Sequence, residues 1–237
     1  MLWLLHGNLG SPADWKPVSD RLHAAGISCR ALNLWKYLEC CPKSLEDMGK
    51  ILCSEIAAQD KHPHLCGYSL GGRLAMHAVL AHAPLWRGAV FISSHPGMTD
   101  EREKEARRMT DAEWAVKCLS LPWEEFLQAW DAQTVFQGGS QDDDARDRSS
   151  LKPWRKSISR AFIDWSAGMQ HDLLPSLNQS PVPLLWMAGE RDAKFSALVR
   201  RAAGQNAVIV PGAGHRLPME APGETAEYIK QFMLNHP

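Results

Sequence analysis

Three short stretches carry residues whose types and spacing suit proton transfer through a hydroxyl. In Gly67-Tyr68-Ser69-Leu70-Gly71 a serine stands with a glycine two residues away on either side. A serine hydroxyl does little chemistry until a second group takes its proton, and that group is commonly an imidazole oriented by a carboxylate. Further along, "GERDAKF" (189–195) supplies Asp192, with Glu190 as a competitor, and "GAGH" (212–215) supplies His215. Serine, acid, then histidine is the chain order in which a nucleophile elbow receives its partners. Asp192 is favoured because Glu190 lies nearer the strand end and has Arg191 beside it as a partner, but spacing alone leaves both in play. Taken singly, His215 reads as an exposed loop histidine; the three groups in order are what make the signal. A reaction that builds negative charge on oxygen also needs preorganised N–H donors. Leu70, following the serine, offers one, and the loop "LHGNLG" (5–10) offers another at Asn8, with His6 bracing that loop through its ring nitrogens. The other histidines show no metal-ligand spacing, so neither metal nor cofactor is expected.

These groups must be held at the ends of strands. Short apolar runs alternate with helix-length segments: "LWLL" (2–5), "ISCRALNL" (27–34), "HLCGY" (64–68), "GAVFIS" (88–93), "VPLLWMAG" (182–189) and "AVIVPG" (207–212). Between them lie helical patterns at 15–25, 44–59 and 70–82, which predicts βαβ units, a mostly parallel sheet flanked by helices, and an α/β fold. A last helix opens near Pro222, with acidic Glu224 and Glu227 early and Tyr228, Ile229, Phe232 and Met233 as its packing face. Residues 98–175 break the rhythm with helical spacing, dense charge and five tryptophans up to residue 170. They read as a helical lid inserted into a core formed by 1–97 and 176–237, against the plainer reading of helices that only pack on the sheet. The polar stretch "QGGSQDDDARDRSS" is the loop of this insertion, and Asp142–Asp144 is its nearest approach to low complexity.

The 237 residues suit one domain with a substantial core. With 45% apolar and 22% charged residues the composition is that of a soluble globular chain, and a formal net charge of −1 provides no field to recruit nucleic acid or a membrane. The first apolar run is too short for a signal peptide and no run approaches the roughly 18 residues of a membrane span. Six cysteines without CxxC pairs read as reduced thiols rather than a disulfide framework, which points to the cytoplasm. Oligomeric state is not legible, since a tryptophan-rich lid and a contact surface have the same composition.

"LHGNLGSPADW", "GYSLGGRLAM", "SSHPGMTDEREKEARR", "WDAQTVF", "GERDAKF" and "GAGH" together resemble the α/β-hydrolase-fold enzymes of menaquinone biosynthesis, the 2-succinyl-6-hydroxy-2,4-cyclohexadiene-1-carboxylate synthase (MenH-type) family. The resemblance runs from the first strand to the last loop. It implies a lyase that removes a substrate proton and eliminates pyruvate, with Ser69 as base, His215 as acceptor of its proton, and Asp192 orienting the imidazole. It implies a small polycarboxylate substrate gripped by Arg73 and Arg107, a pocket lined by Tyr68 and Trp130, and an oxyanion hole at Asn8 and Leu70. A guanidinium holds a carboxylate through two parallel bonds, which lysine cannot copy. On spacing alone, Arg107 would be a solvated helix face, Trp130 insertion core, and Arg73 a cation opposed to its own helix dipole. The chain departs from the family at "LNLWKYLECC", where an Asp-x-Pro-Gly-His-Gly turn is usual, at Asn8 in place of an aromatic, and at "RLPMEAP" after His215. The family's further lid arginine has no secure counterpart at Arg155 or Arg160.

Two other classes of function use the same residues. A serine hydrolase acting on an anionic ester, thioester or C–C bond would acylate Ser69, so trapping of an acyl group there separates it from a lyase. A binding protein that keeps the fold without turnover has no need of all three groups, and would be unaffected by Ser69→Ala.

Overall fold

Alternate residues of each strand part to opposite sides of one sheet. Trp3 and Leu5 of β1 (Leu2–Leu5) join one apolar cluster, while Leu2 and Leu4 join the other. Ala89 and Phe91 of β4 (Gly88–Ile92) divide from Val90 and Ile92 in the same way. The computed structural model describes residues 1–136 and 147–237. With β2 (Cys29–Leu32), β3 (His64–Tyr68), β5 (Leu184–Gly189) and β6 (Val208–Val210) these strands form a six-stranded sheet in the order β2-β1-β3-β4-β5-β6. Every pairing is parallel. Leu5 stands opposite Gly67, Gly67 opposite Phe91, and Phe91 opposite Trp186, so the carboxyl ends of four strands open onto one edge. Ligands of open parallel sheets collect at that edge.

The crossover helices divide between the two faces. α1 (Lys16–Ala24) and α10 (Pro222–Asn235) pack together over the cluster of Leu2, Leu4, Val90 and Ile92. α2 (Leu45–Ala57) and α3 (Leu70–Ala81) pack over the other face, and α8 (Ala193–Ala203) contributes Val199 to the same cluster. Sequence signals start these helices where expected: Ser44 accepts from the amide of Asp47 at α2, and Pro222 opens α10. The buried stripe of α10 is Thr225, Ala226, Ile229 and Phe232, whereas Tyr228 is exposed, contrary to its expected place in the packing face. The cause is angular: 225, 229 and 232 follow the 3.6-residue period toward the sheet, and 228 falls on the flank.

Between β4 and β5 the chain makes α4 (Glu101–Ser120), α5 (Trp123–Asp131), α6 (Arg155–Asp164) and α7 (Leu174–Asn178), with no strand among the described residues. α4 begins on Asp100, whose carboxylate accepts from the amides of Arg102 and Glu103. The expected loop residues 137–146, including Asp142–Asp144, lie outside the described residues. Trp114, Trp123, Phe126, Trp130, Phe162 and Trp165 are buried in a cluster continuous with one sheet face. Rings of this kind bury ~150–250 Å² each, enough to make the insertion part of the core. It is also tied by hydrogen bonds to the segment after β2, from Trp165 Nε1 to the Lys43 carbonyl (3.0 Å) and from Arg160 to the Leu38 carbonyl (2.8 Å). α7 spans residues 175 and 176, where the insertion was expected to end, and packs on α3. The six cysteines carry free thiols. Among the described residues no helix is long and apolar enough to cross a membrane.

Candidate active site

The turn from β3 into α3 holds Ser69 at φ 52°, a left-handed conformation that side chains rarely adopt. Its neighbours explain the two glycines. A Cβ on Gly67 would stand 2.3 Å from the Gly71 carbonyl oxygen, and one on Gly71 would stand 2.2 Å from the Leu5 carbonyl oxygen. Only hydrogen fits at either place. Ser69 occupies the position before the first helical residue yet makes no capping bond, so its hydroxyl remains available. Ser94, just past β4, donates to the carbonyl oxygens of Ser69 (3.1 Å) and Ile92 (2.8 Å) and backs the turn from below.

His215 lies on the loop between β6 and α9 (Leu217–Glu220), 5% exposed. Its Nδ1 is 2.6 Å from Asp192 Oδ2, and its Nε2 is 3.4 Å from Ser69 Oγ. A carboxylate only accepts, so Nδ1 carries the proton and the Nε2 lone pair faces the serine. The longer Ser69 separation is usual for such arrays without substrate. Asp192 also accepts from the Phe195 amide, which makes it the cap of α8 as well as the partner of His215. Glu190 instead accepts from the Gly212 amide at 2.9 Å, so of the two acids Asp192 is the one brought to the imidazole.

Residues that spacing did not single out hold the histidine loop. Glu220 accepts from the amides of Gly214 (2.5 Å) and Arg216 (2.9 Å), gripping the backbone on both sides of His215. Three rings surround the imidazole, those of Phe195 (centroids 4.6 Å), Tyr68 (5.6 Å) and Phe136 (5.7 Å). Phe195 and Phe136 close the segments "GERDAKF" and "WDAQTVF" that carry the family resemblance, although neither ring was given a role there; Glu220 had no such signal.

The loop after β1 lies against the serine turn, where a Cβ on Gly7 would approach Tyr68 at 2.7 Å and Ser69 Cβ at 3.3 Å. Asn8 is half-buried on this loop, and Leu70 is buried at the start of α3, where the first amides of a helix have no intrahelical acceptor. His6 is fully buried, donates from Nδ1 to the Gly7 carbonyl (2.9 Å) and accepts at Nε2 from the Leu34 amide (3.1 Å). Burial pulls its pKa down to about 4, so it is a neutral brace, as expected.

Arg73 follows Ser69 by one helical turn and is 5% exposed. Its Nη1 is buried with no hydrogen-bond partner among the described residues. Desolvation first, then the nearby charge of Arg107, pulls its pKa down to about 9, with Asp111 acting the other way. Arg107, on α4 with about a third of its side chain exposed, bonds the buried Asp111 at 2.8 Å, and Asp111 also accepts from Ser166 (2.6 Å). The α4 insertion helix thus brings a second guanidinium toward Arg73 while only partly neutralising it. Trp130 is buried among Trp114, Phe136 and Phe162, in the insertion core.

The model of the alpha/beta hydrolase family matches residues 4–228. The 2-succinyl-6-hydroxy-2,4-cyclohexadiene-1-carboxylate synthase of Salmonella paratyphi A is 30% identical over 241 residues, covering 98% of this chain and 93% of that protein. The chain belongs to the α/β-hydrolase family, in this synthase branch. The synthase of Salmonella typhimurium is 28% identical, with 98% and 93% covered. The solved structure of MenH from S. aureus superposes with a TM-score of 0.87 at 21% identity, over 99% of this chain and 93% of that one. An esterase from Thermogutta terrifontis shares the fold more loosely, with a TM-score of 0.68 at 18% identity over 100% and 90%. The segment after β2 does structural work beside this site. Leu34–Leu38 forms a 3-10 turn whose Trp35 donates to the Gly10 carbonyl (2.8 Å) and packs on the His6 ring. The loop carrying Asn8 is therefore held from the side of the segment that follows β2.

Proposed function

We propose that the protein is a lyase that eliminates pyruvate from a succinyl-enolpyruvyl-cyclohexene carboxylate in menaquinone biosynthesis, acting in the cytoplasm on this small polycarboxylate. The observation that carries the reading is Arg73, a buried guanidinium with an orphaned N–H one turn from the Ser69–His215–Asp192 array. Burying an unpaired charge is costly in a free protein, and a substrate carboxylate supplies the missing partner. A neutral ester would not.

In this mechanism Ser69 takes the substrate's ring C–H proton as its own hydroxyl proton passes to His215 Nε2. Asp192 holds the resulting imidazolium through Nδ1–H. The anion left on the substrate is stabilised by the amides of Asn8 and Leu70, where such donors contribute about 3–4 kcal/mol each to the transition state. Its electron pair then forms a ring double bond and expels the enolpyruvyl oxygen. The leaving enolate takes a proton from the imidazolium side and becomes pyruvate, and Ser69 is never acylated. Arg73 and Arg107 hold substrate carboxylates, Tyr68 and Trp130 shape the pocket, and the insertion acts as its lid. Coupled detection of pyruvate tests this: the parent should release it far above the uncatalysed rate and Ser69→Ala should not. Efficient turnover of an anionic ester through an acylated Ser69, without pyruvate release, would favour the hydrolase instead.

A further inference from the structure

A buried ionic cluster lies beside the hydroxyl–imidazole–carboxylate array and reaches it through one ring. Asp131, the last residue of α5, accepts from Arg148 (Nη1 to Oδ1, 3.2 Å, and Nη2 to Oδ2) and from Nη2 of Arg216. Both arginine side chains are buried and the carboxylate is 14% exposed. Arg216 directly follows His215 in the chain. Its guanidinium lies 4.2 Å from the centroid of Phe136, and the Phe136 ring meets the His215 ring edge-on at 62°.

Ions are expensive to bury, and apolar residues would hold the insertion to the core as firmly. What an ion pair adds is direction, because a planar guanidinium fixed by a carboxylate presents a flat face to an aromatic ring. Asp192 fixes only the Nδ1 end of the imidazole, so the tilt of the ring toward Ser69 depends on the surrounding rings. Tyr68 comes from β3 and Phe195 from α8, both rigid core elements, whereas Phe136 comes from the insertion. Its ring packs on Trp130 and meets the Arg216 guanidinium, which Asp131 in turn fixes.

We propose that Asp131, Arg216 and Phe136 form a positioning stack that sets the plane of the His215 imidazole, coupling the seating of the insertion to the proton-transfer competence of Ser69. The proposal rests on reading Ser69, His215 and Asp192 as the proton-transfer array. Its test uses the intact protein and a small fluorophosphonate, which reports on activation of Ser69 by His215 whatever the natural substrate. Phe136→Leu should slow phosphonylation of Ser69 by roughly 10- to 100-fold, the range expected for a slightly misplaced group. It should lower kcat for pyruvate release more than it raises KM. Phe136→Tyr, which keeps the ring, should recover to within a few-fold of the parent. Asp131→Asn should behave like Phe136→Leu; if it does not fold, the two Phe136 variants decide, with Phe136→Met standing in for an unfolded Leu variant. Phosphonylation of a folded Phe136→Leu protein within twofold of the parent, or a Tyr variant no better than Leu, overturns the proposal. A parent that is phosphonylated yet releases no pyruvate refutes the lyase reading alone, and the probe still decides the stack.

Discussion

Replacing Arg73 with methionine should stabilise the free protein while crippling the reaction. The side chain is 5% exposed, its Nη1 has no partner among the described residues, and burial, with Arg107 nearby, brings its pKa well below the usual guanidinium range, to about 9. That depression corresponds to roughly 5 kcal/mol of disfavoured charge at the upper limit. Because the native state holds this proton less tightly than the unfolded chain, the penalty is present in full below about pH 9 and fades only above it. Methionine has a similar reach, needs no partner, and leaves the backbone bond from residue 73 to the Ser69 carbonyl in place. An orphaned buried N–H alone costs about 1–3 kcal/mol. Taking that smaller figure, melting at pH 7 should rise by roughly 2–12 °C for a chain of this size. Turnover should move the other way, since losing a charge-assisted contact to a carboxylate costs about 1.5–3 kcal/mol, or roughly 10- to 150-fold in kcat/KM. A tricarboxylate such as citrate should raise the melting temperature of the parent and not of the variant. A variant that melts several degrees lower and turns over within threefold of the parent would refute the reasoning, and Arg73 would then be a structural cation.

Other substitutions separate neighbouring roles. Asp192→Asn should cost roughly 10³–10⁴-fold in kcat, while Glu190→Gln should stay within a few-fold because its carboxylate serves the Gly212 amide; equal losses would contradict the assignment. Gly71→Ala drives a methyl into the Leu5 carbonyl and should destabilise by about 3 kcal/mol or more. A urea midpoint unchanged from the parent would rule that clash out. Acid should weaken the fold before it protonates most carboxylates. His6 is held neutral with a pKa of about 4, so its contribution is full above the unfolded value near 6.5 and is lost as pH falls from there toward 4. At pH 5.5 that loss is about 1 kcal/mol from His6 alone, and His64, His77 and His95 act in the same sense. Melting temperatures that stay flat from pH 7 to 5 would contradict this.

The parts of the fold that were legible from sequence share a physical cause. Each strand is a short apolar run closed by a turn, and parallel crossovers force the ends of β3, β5 and β6 onto one edge, so chain order could match Ser69 and His215 and narrow the acid to Asp192 or Glu190, between which the hydrogen bonds decide. Glycine at 67 and 71 was readable because the turn has no room for a Cβ. What stayed hidden depends on contacts between distant segments. No spacing rule links Phe136 or Asp131 to His215, or Trp35 to Gly10, since those pairings arise from how the insertion and the β2 segment settle on the sheet. Glu220 was hidden for a different reason: a carboxylate at the end of a one-turn helix reads as surface charge until its two amide bonds are seen. Arg107 shows the middle case: spacing alone made it a solvated helix face and the resemblance made it a carboxylate ligand, while its bond to Asp111 and its approach to Arg73 emerge only in the folded chain.

The most direct test is single-turnover pyruvate release from the succinyl-enolpyruvyl-cyclohexene carboxylate, with the protein examined by mass spectrometry during the reaction. One pyruvate per substrate, loss of catalysis in Ser69→Ala and an unmodified Ser69 throughout are the expected results. Accumulation of an acyl adduct on Ser69, or release no faster than the spontaneous elimination, would contradict the lyase mechanism.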